Sequence, residues 1–467
     1  MVGISSIGVY VPRSRLDRAL IAKAWGAKQP PGEKAVAFYD EDALTLAVAA
    51  AHRCLEDFDA LQIDGLFFAS TSSPYREKQV ASVVATACDL PREIVTADFA
   101  GSVRAGLAAL SAAVRAVQSG QARRVLVVAS DCRPAEPESD LEGTLGDAAV
   151  AVVVDGKARL AEFVASAAVA EEFTFQWRSN ESSGVQTQDA RFSVTHGYLR
   201  DMAEVIGRVM NEHGVGAGDL AALAVGTPDA RTAQQLAKEV GVDARTRLVP
   251  SLIPQIGVTG SPDPLLQLAS ALEKAKPADA IVTAAFGEGA EALLFRATAG
   301  GGALAGRPGL GAAIERKLPL PTYEKYLKYR RILGQDETPV ELVSNVLEAR
   351  ELQQDTRLYG TRCGECGLVQ YPMARVCLKC KARQGLEPVK LNKKGTIFTY
   401  TVDHLAANLD HPMGMVVVDL EGGGRVYVQM TDCTPDEVKI GAPVELTFRR
   451  LHAGGENYNY FWKARPL

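Results

Sequence analysis

Two Cys-x-x-Cys knuckles near the C-terminus carry the clearest chemistry in this sequence. They are Cys363-Gly364-Glu365-Cys366 and Cys377-Leu378-Lys379-Cys380, with ten residues between Cys366 and Cys377. Each knuckle brings two thiolates within reach of one ion, and the pair supplies the four sulfurs of a closed tetrahedral zinc site. Gly364 and Gly367 suit a chain that bends tightly around a metal. Four thiolates leave no open coordination position for water, so the zinc is expected to be structural. The competing reading is four free or disulfide-bonded cysteines, but four of the eight cysteines fall in one 18-residue window at regular spacing. The other four, Cys54, Cys88, Cys132 and Cys433, are scattered in apolar or helical stretches and read as ordinary buried thiols.

The elements around this motif change character along the chain. With 467 residues, the chain is too long for one core and is expected to form two to four structural units. Residues 1–297 are rich in Ala and Val. Apolar runs such as 63–69, 124–130, 148–154, 221–225 and 280–285 alternate with amphipathic helical stretches. This pattern predicts α/β layers whose strands are buried on both faces. A helix–turn–strand plan at 113–131 recurs at 269–287, and 63–71 loosely matches 220–227, which points to a duplicated fold. A Gly/Ala-rich stretch over 297–313 reads as a linker, followed by a helical segment at 323–333. From about residue 395 the apolar residues alternate in period two through five short runs, the pattern of a small closed barrel.

Composition narrows the function classes. The hydrophobic content of 47% and charged content of 23% are those of a soluble globular protein. A net charge of −5 gives no electrostatic case for nucleic acid, although Tyr458, Tyr460, Phe461 and Trp462 near the end could stack bases. Closure of the barrel core is the stronger expectation for those aromatics. No apolar run approaches a membrane span, and the first residues do not form a signal peptide. Zinc-type cysteines without a disulfide pattern point to the cytoplasm.

The first 297 residues resemble the thiolase superfamily, closest to the archaeal branch of 3-hydroxy-3-methylglutaryl-CoA synthase. The similarity runs in order through IGVYVPRSRLDRALIAKAWG, SSPYREKQVASVVATACDL, ADFAGSVRAGLAAL, RRVLVVASD, EGTLGDAAVAVVVDG and QIGVTGSPDPLLQLASALEKAKPADAIVTAAFGEGA. Residues 320–467 are similar to the DUF35 family, in which a helix, a rubredoxin-like zinc ribbon and an OB-fold follow one another. The resemblance implies a duplicated thiolase-like α/β fold with layered sheets, then a zinc ribbon and a small all-β OB barrel. The corresponding boundaries are 1–165 and 166–297 for the two thiolase-like halves, 298–340 for linker and helix, 341–390 for the ribbon and 391–467 for the OB-fold.

The same resemblance locates the chemistry. Enzymes of this fold use a Cys at a helix N-terminus, and an ungapped match puts Gly101 at that place, with Ser102 as the nearest possible nucleophile and Arg104 on the same turn. The family's general acid/base Glu corresponds to Thr71, its His to Gly226 or Thr227, and its Asn to Val258. In each, the titratable or amide function is gone, which argues against the standard Cys-dependent mechanism. His196 and Cys132 are further candidates to take over, against the plainer readings of a surface His and a small buried thiol. His404 and His411 fall on the first barrel loop, and Arg449 and Arg450 could contact CoA phosphates or form a solvated strand end. The resemblance implies an acyl-CoA ligand or substrate, a homodimer and a separate thiolase subunit as partner, without nucleic acid or membrane. Two function classes follow. One is a non-catalytic CoA-thioester-binding subunit of a thiolase-type complex. The other is an acyltransferase or condensing enzyme with a non-standard nucleophile.

Overall fold

The computed structural model describes residues 1–300, 308–333, 343–404, 412–454 and 457–467, so His411 and parts of the expected linker and helix segment lie outside the described residues. It divides into two compact units: Met1–Ala37 with Asp42–Tyr326, and Phe38–Glu41 with Leu327–Leu467.

The first unit is built on nine strands: β1 (Gly3–Tyr10), β2 (Gly65–Ala69), β3 (Val95–Phe99), β4 (Arg124–Asp131), β5 (Ala148–Asp155), β6 (Ala161–Ala170), β7 (Leu220–Val225), β8 (Ala280–Phe286) and β9 (Gly289–Ala297). Their order in space is β7-β8-β9-β6-β1-β5-β4-β2-β3. A repeat is written into this order. In the first half β1 and β5 are antiparallel, β5 and β4 antiparallel, and β4 and β2 parallel. In the second half β6 and β9, β9 and β8, and β8 and β7 repeat those three relations. The halves meet through a short antiparallel pairing of Gly3 with Glu162 and Ile4 with Ala161.

Four helices complete the layers: α1 (Ala43–Leu55), α2 (Ala105–Gln118), α3 (Leu199–Asn211) and α4 (Asp263–Leu272). α1 packs on β1, β4 and β5, and α3 packs on β6, β8 and β9. α2 lies on β2, β4 and β5, α4 lies on β7 and β8, and the two helices touch each other. The result is a helix–sheet–helix–sheet–helix stack, with α2 and α4 in the middle. Sequence explains the middle layer: β4, β5 and β8 are buried at every residue, and Leu107, Leu110, Val114, Leu265, Leu266 and Leu268 are fully buried between the sheets. Each such aliphatic side chain contributes about 1.5–3 kcal/mol on burial. The middle layer matters for function because the turns that enter α2 and α4 are brought together there.

The second unit holds a three-stranded sheet and a barrel. Strand β10 (Tyr359–Cys363) lies between β11 (Val369–Gln370) and β12 (Leu386–Lys390). The barrel strands are β13 (Lys394–Asp403), β14 (Met413–Leu420), β15 (Arg425–Gln429), β16 (Pro443–Gly454) and β17 (Asn457–Pro466), in the order β15-β14-β13-β16-β17. A parallel bridge from Met430 to Ala464 closes β15 onto β17. The closed ring therefore runs first-second-third-fifth-fourth strand, the connectivity of an OB-fold.

The period-two pattern in the sequence delivers Val416, Val418, Val426, Val428, Leu446, Phe448 and Trp462 to the barrel interior. Trp462 donates its indole N–H to the Asp355 carbonyl at 2.9 Å and meets Phe448 edge-on at 5.2 Å. It fills the core and offers no stacking face. Arg449, expected either to contact a phosphate or to form a solvated strand end, is instead buried among acids. It is 1% exposed, pairs with Glu41, and lies 3.7 Å from Asp40 and 3.8 Å from Asp432. Lys463 reaches Asp40 at 2.8 Å in the same cluster. Burial works to raise the Asp40 carboxyl, but Lys463 and Arg449 override it and hold it below its ordinary range. Arg450 is also buried, with its backbone N–H on the Asp40 carbonyl at 3.0 Å. The two arginines continue a β-strand whose partners arrive from residues 38–41, a long-range contact that spacing alone does not reveal.

Candidate functional site

The sulfurs of Cys363, Cys366, Cys377 and Cys380 lie within 4.8 Å of one another, with Cys363–Cys380 at 3.6 Å and Cys366–Cys377 at 3.5 Å. A tetrahedral zinc with bonds of about 2.3 Å separates its sulfurs by about 3.8 Å, so the four thiols fit one ion. The two knuckles share a backbone plan. Gly367 N–H returns to the Cys363 carbonyl and Lys381 N–H to the Cys377 carbonyl. Cys363 N–H reaches Leu368 and Cys377 N–H reaches Ala382. The residue after each second Cys, Gly367 or Lys381, is left-handed at φ 74° and 65°. Backbone N–H groups of Cys380 and Lys379 lower the Cys377 thiol, while burial and the three neighbouring sulfurs raise the Cys380 thiol.

In the first unit, the tips of β7 and β8 and the turns leading into α2 and α4 enclose a cavity of about 50 Å³. Val103, Gly226, Thr227 and Val258 form part of its wall, together with Arg133, Tyr198 and Asp263. Among the described residues, no Cys, His or Glu side chain contributes to that wall. Three of the positions expected from the sequence, Gly226, Thr227 and Val258, are thus brought together. The turn before α2 contributes Val103, while Gly101 is exposed at φ 84° with open space around its α-carbon.

The other expected residues lie around the cavity. Ser102 is half-buried near Gly287, and its Oγ accepts from the Arg104 N–H at 3.4 Å. Arg104 donates to the Val169 carbonyl at 3.3 Å and acts electrostatically on Glu291, whose carboxyl burial raises. Thr71 is bonded to Asp131 through both its N–H, at 2.7 Å, and its hydroxyl, at 3.0 Å. Cys132 is half-buried and donates its N–H to Ser72 at 2.7 Å. His196 is exposed on the segment Val194–Tyr198, its ring tilted against Phe192 at 4.5 Å in a surface groove outside the cavity wall. His404 is also exposed.

Asp131, at the tip of β4, anchors one side of the site. It accepts from the hydroxyls of Ser70, Thr71 and Ser72, from the Thr71 N–H and from the Ser261 N–H, at 2.7–3.0 Å. Gly260 is what lets the loop before α4 come this close: a Cβ there would sit 2.6 Å from Asp131 Oδ2, and the residue is at φ 77°.

Three titratable wall residues were not singled out from the sequence. Asp263, the first residue of α4, is 3% exposed and accepts the Thr227 N–H at 3.2 Å. Burial pushes its carboxyl up to about 7, against the small lowering from that bond. Arg133, two residues past the tip of β4, is 4% exposed, and burial lowers its guanidinium below the ordinary value. Tyr198 donates its hydroxyl to the Gly226 carbonyl at 2.8 Å, and burial raises that hydroxyl as well. The arrangement can hold a small polar group beside one carboxyl poised to exchange a proton near neutrality.

Comparisons with known proteins agree with this architecture. Residues 388–449 match the family described as ChsH2, C-terminal OB-fold domain. The hydroxymethylglutaryl-CoA synthase of Pyrobaculum neutrophilum is 30% identical over 308 residues, which are 64% of this chain and 88% of that protein. The Pyrococcus furiosus enzyme of the same name is 29% identical over 338 residues, 71% of this chain and 93% of its own. A solved structure of MvaS in complex with 3-hydroxy-3-methylglutaryl coenzyme A superposes with a TM-score of 0.63 at 22% identity, covering 73% of this chain and 94% of that one. Among the described residues, no helix is long and apolar enough to cross a membrane. The chain belongs to the hydroxymethylglutaryl-CoA synthase family of the thiolase superfamily, with a ChsH2-type OB-fold domain and a four-cysteine cluster following the synthase-like part.

Proposed function

We propose that this protein binds an acyl-CoA in the cavity beside Val103 and takes part in carbon–carbon bond formation or cleavage on CoA thioesters without forming an acyl-enzyme. One observation carries the reading: the cavity wall holds Val103, Gly226, Thr227 and Val258 and, among the described residues, no thiol, imidazole or Glu side chain. Ser102, the nearest hydroxyl on the turn before α2, has only a weak contact with the Arg104 N–H in place of a base. Cys132 and His196 are held at other places. On this reading the protein works as a subunit beside a separate thiolase that supplies the reactive Cys, and pairs with a second copy of itself through the edge strand β3, whose outer side has no partner strand among the described residues. The cysteine cluster holds a structural zinc that keeps the second unit folded.

A specific observation favours the alternative of a chain active on its own. Asp263, near neutrality by burial, can serve as a general acid or base for enolate chemistry that needs no covalent intermediate. The discriminating experiment is turnover of acyl-CoA by the purified chain, alone and with a co-expressed thiolase. Turnover only with the thiolase supports the subunit reading. Turnover alone that falls in Asp263→Asn supports the alternative.

A further inference from the structure

The cavity is much smaller than a CoA thioester. About 50 Å³ admits a group the size of a few waters, so most of such a ligand must lie outside it. A groove of about 620 Å³ opens on the surface of the same unit, lined by Asp189, Ala190, Arg191, Phe192, Thr195 and His196. That volume is in the range of small-molecule sites.

Aromatic rings stand between the groove and the cavity. Phe192, on the groove, is stacked on Phe173 with ring centroids 6.1 Å apart. Phe173 and Phe286 meet beside Gly197, where a Cβ would lie 2.6 Å from the Phe173 ring and 3.1 Å from the Phe286 ring. Phe286 belongs to the cavity wall, edge-on to Phe175 at 6.1 Å and to Tyr198 at 5.7 Å. A path from groove to cavity therefore crosses Phe192, Phe173 and Phe286 in turn.

The two inner rings are not held alike. Phe286 is 5% exposed at the end of β8, fixed within the sheet. Phe173 is half-buried between the exposed residues Glu172 and Thr174, so it can swing toward solvent without disturbing a strand. The backbone opposite it is also unusual. Val194–Tyr198 is one π-helical turn between the short helix Ala190–Ser193 and α3, with the Leu199 N–H bonded to the Val194 carbonyl. Such turns occur mostly at functional sites. Gly197 lies in this turn, and its missing side chain is the space that the Phe173 ring occupies.

We infer that the groove is the entrance to the cavity and that Phe173 is the shutter between them, moving against Gly197 as the pantetheine arm of an acyl-CoA passes. The inference rests on the reading of the cavity as a CoA-thioester site, and names the route into it and the residue that gates it.

The test is the rate at which acetyl-CoA associates with the full-length chain, measured by surface plasmon resonance. In Phe173→Ala association should be at least about tenfold faster, because entry no longer waits for a ring to move. In Thr195→Trp, which sets a large side chain into the groove, association should be about tenfold slower or less. Thr195 is exposed, so this second variant keeps its fold even if Phe173→Ala does not. Unchanged association in both variants, with acetyl-CoA still bound, overturns the inference and leaves the thioester site standing. Unchanged association in Thr195→Trp alone puts the entrance elsewhere and also overturns it. A Phe173→Ala variant altered only by faster dissociation makes Phe173 a ligand contact and not a shutter, which again overturns it. No binding of acetyl-CoA by the unaltered protein overturns the thioester site and the inference together.

Discussion

The Thr227 N–H donates to Asp263 Oδ2 at 3.2 Å, joining the tip of β7 to the first residue of α4. In the first half Thr71, at the tip of β2, is joined instead to Asp131, at the tip of β4. Asp131 collects five donors, whereas burial works on Asp263 against this single bond. Similar halves thus carry two aspartates in different roles, one as a structural anchor and one as a titrating group.

The Asp263 carboxyl sits at about 7 in the folded chain, above the ordinary carboxylate value of about 4. The folded state therefore holds this proton more tightly than the unfolded chain, and its stabilising contribution is lost as pH rises from about 4 to 7. Asp263→Asn cannot ionise and escapes that loss. Between pH 5 and pH 8 the melting temperature of the unaltered protein should fall by several degrees more than that of Asp263→Asn. Equal falls would show that Asp263 does not titrate in this range.

Asp131→Ala should cost about 3 kcal/mol or more in unfolding free energy, because Ser70, Thr71, Ser72 and Ser261 would lose a shared buried acceptor. Asp131→Asn keeps one acceptor oxygen and should cost less. Denaturant unfolding of the two variants checks the order, and an Ala variant as stable as the parent would contradict the anchor role.

Purified protein should contain one zinc ion per chain. Cys377→Ser should lose the metal and the protection of the second unit against proteolysis, while the synthase-like unit keeps its resistance. Metal analysis with limited proteolysis gives both readouts. A metal-free protein whose four thiols react freely would contradict the site.

Much of the fold was legible from sequence because burial repeats along it. β4 and β5 are continuous apolar runs, and both are buried at every residue. The helix–turn–strand repeat seen at 113–131 and 269–287 is α2 with β4 and α4 with β8. The four-cysteine cluster was legible because two regularly spaced knuckles bring their sulfurs to one place. The cavity was legible only in part. An ungapped match cannot tell which residue of the turn before α2 faces inward, and the left-handed Gly101 turns outward while Val103 meets the cavity. Asp263 looks like an ordinary acidic residue at a helix start, and Arg133 like a polar residue after a strand. Both are buried against segments distant in sequence: Gln176 lies 43 residues from Arg133 and Thr227 lies 36 residues from Asp263.

This geometry moves the blocking substitution. Val103→Trp should fill the cavity and weaken acyl-CoA binding by tenfold or more, while Gly101→Trp faces open space and should leave binding nearly unchanged. Titration calorimetry on both variants checks the contrast, and the reverse order would place the acyl group against Gly101.

The central claim is that an acyl-CoA is held here without a covalent bond to the chain. Intact-protein mass spectrometry after incubation with acetyl-CoA, under native and denaturing conditions, tests it most directly. The account predicts a native mass increased by the whole acetyl-CoA and a denatured mass equal to the bare chain. An acetyl adduct that survives denaturation and maps to Ser102 or Cys132, or a native spectrum without any complex, would contradict it.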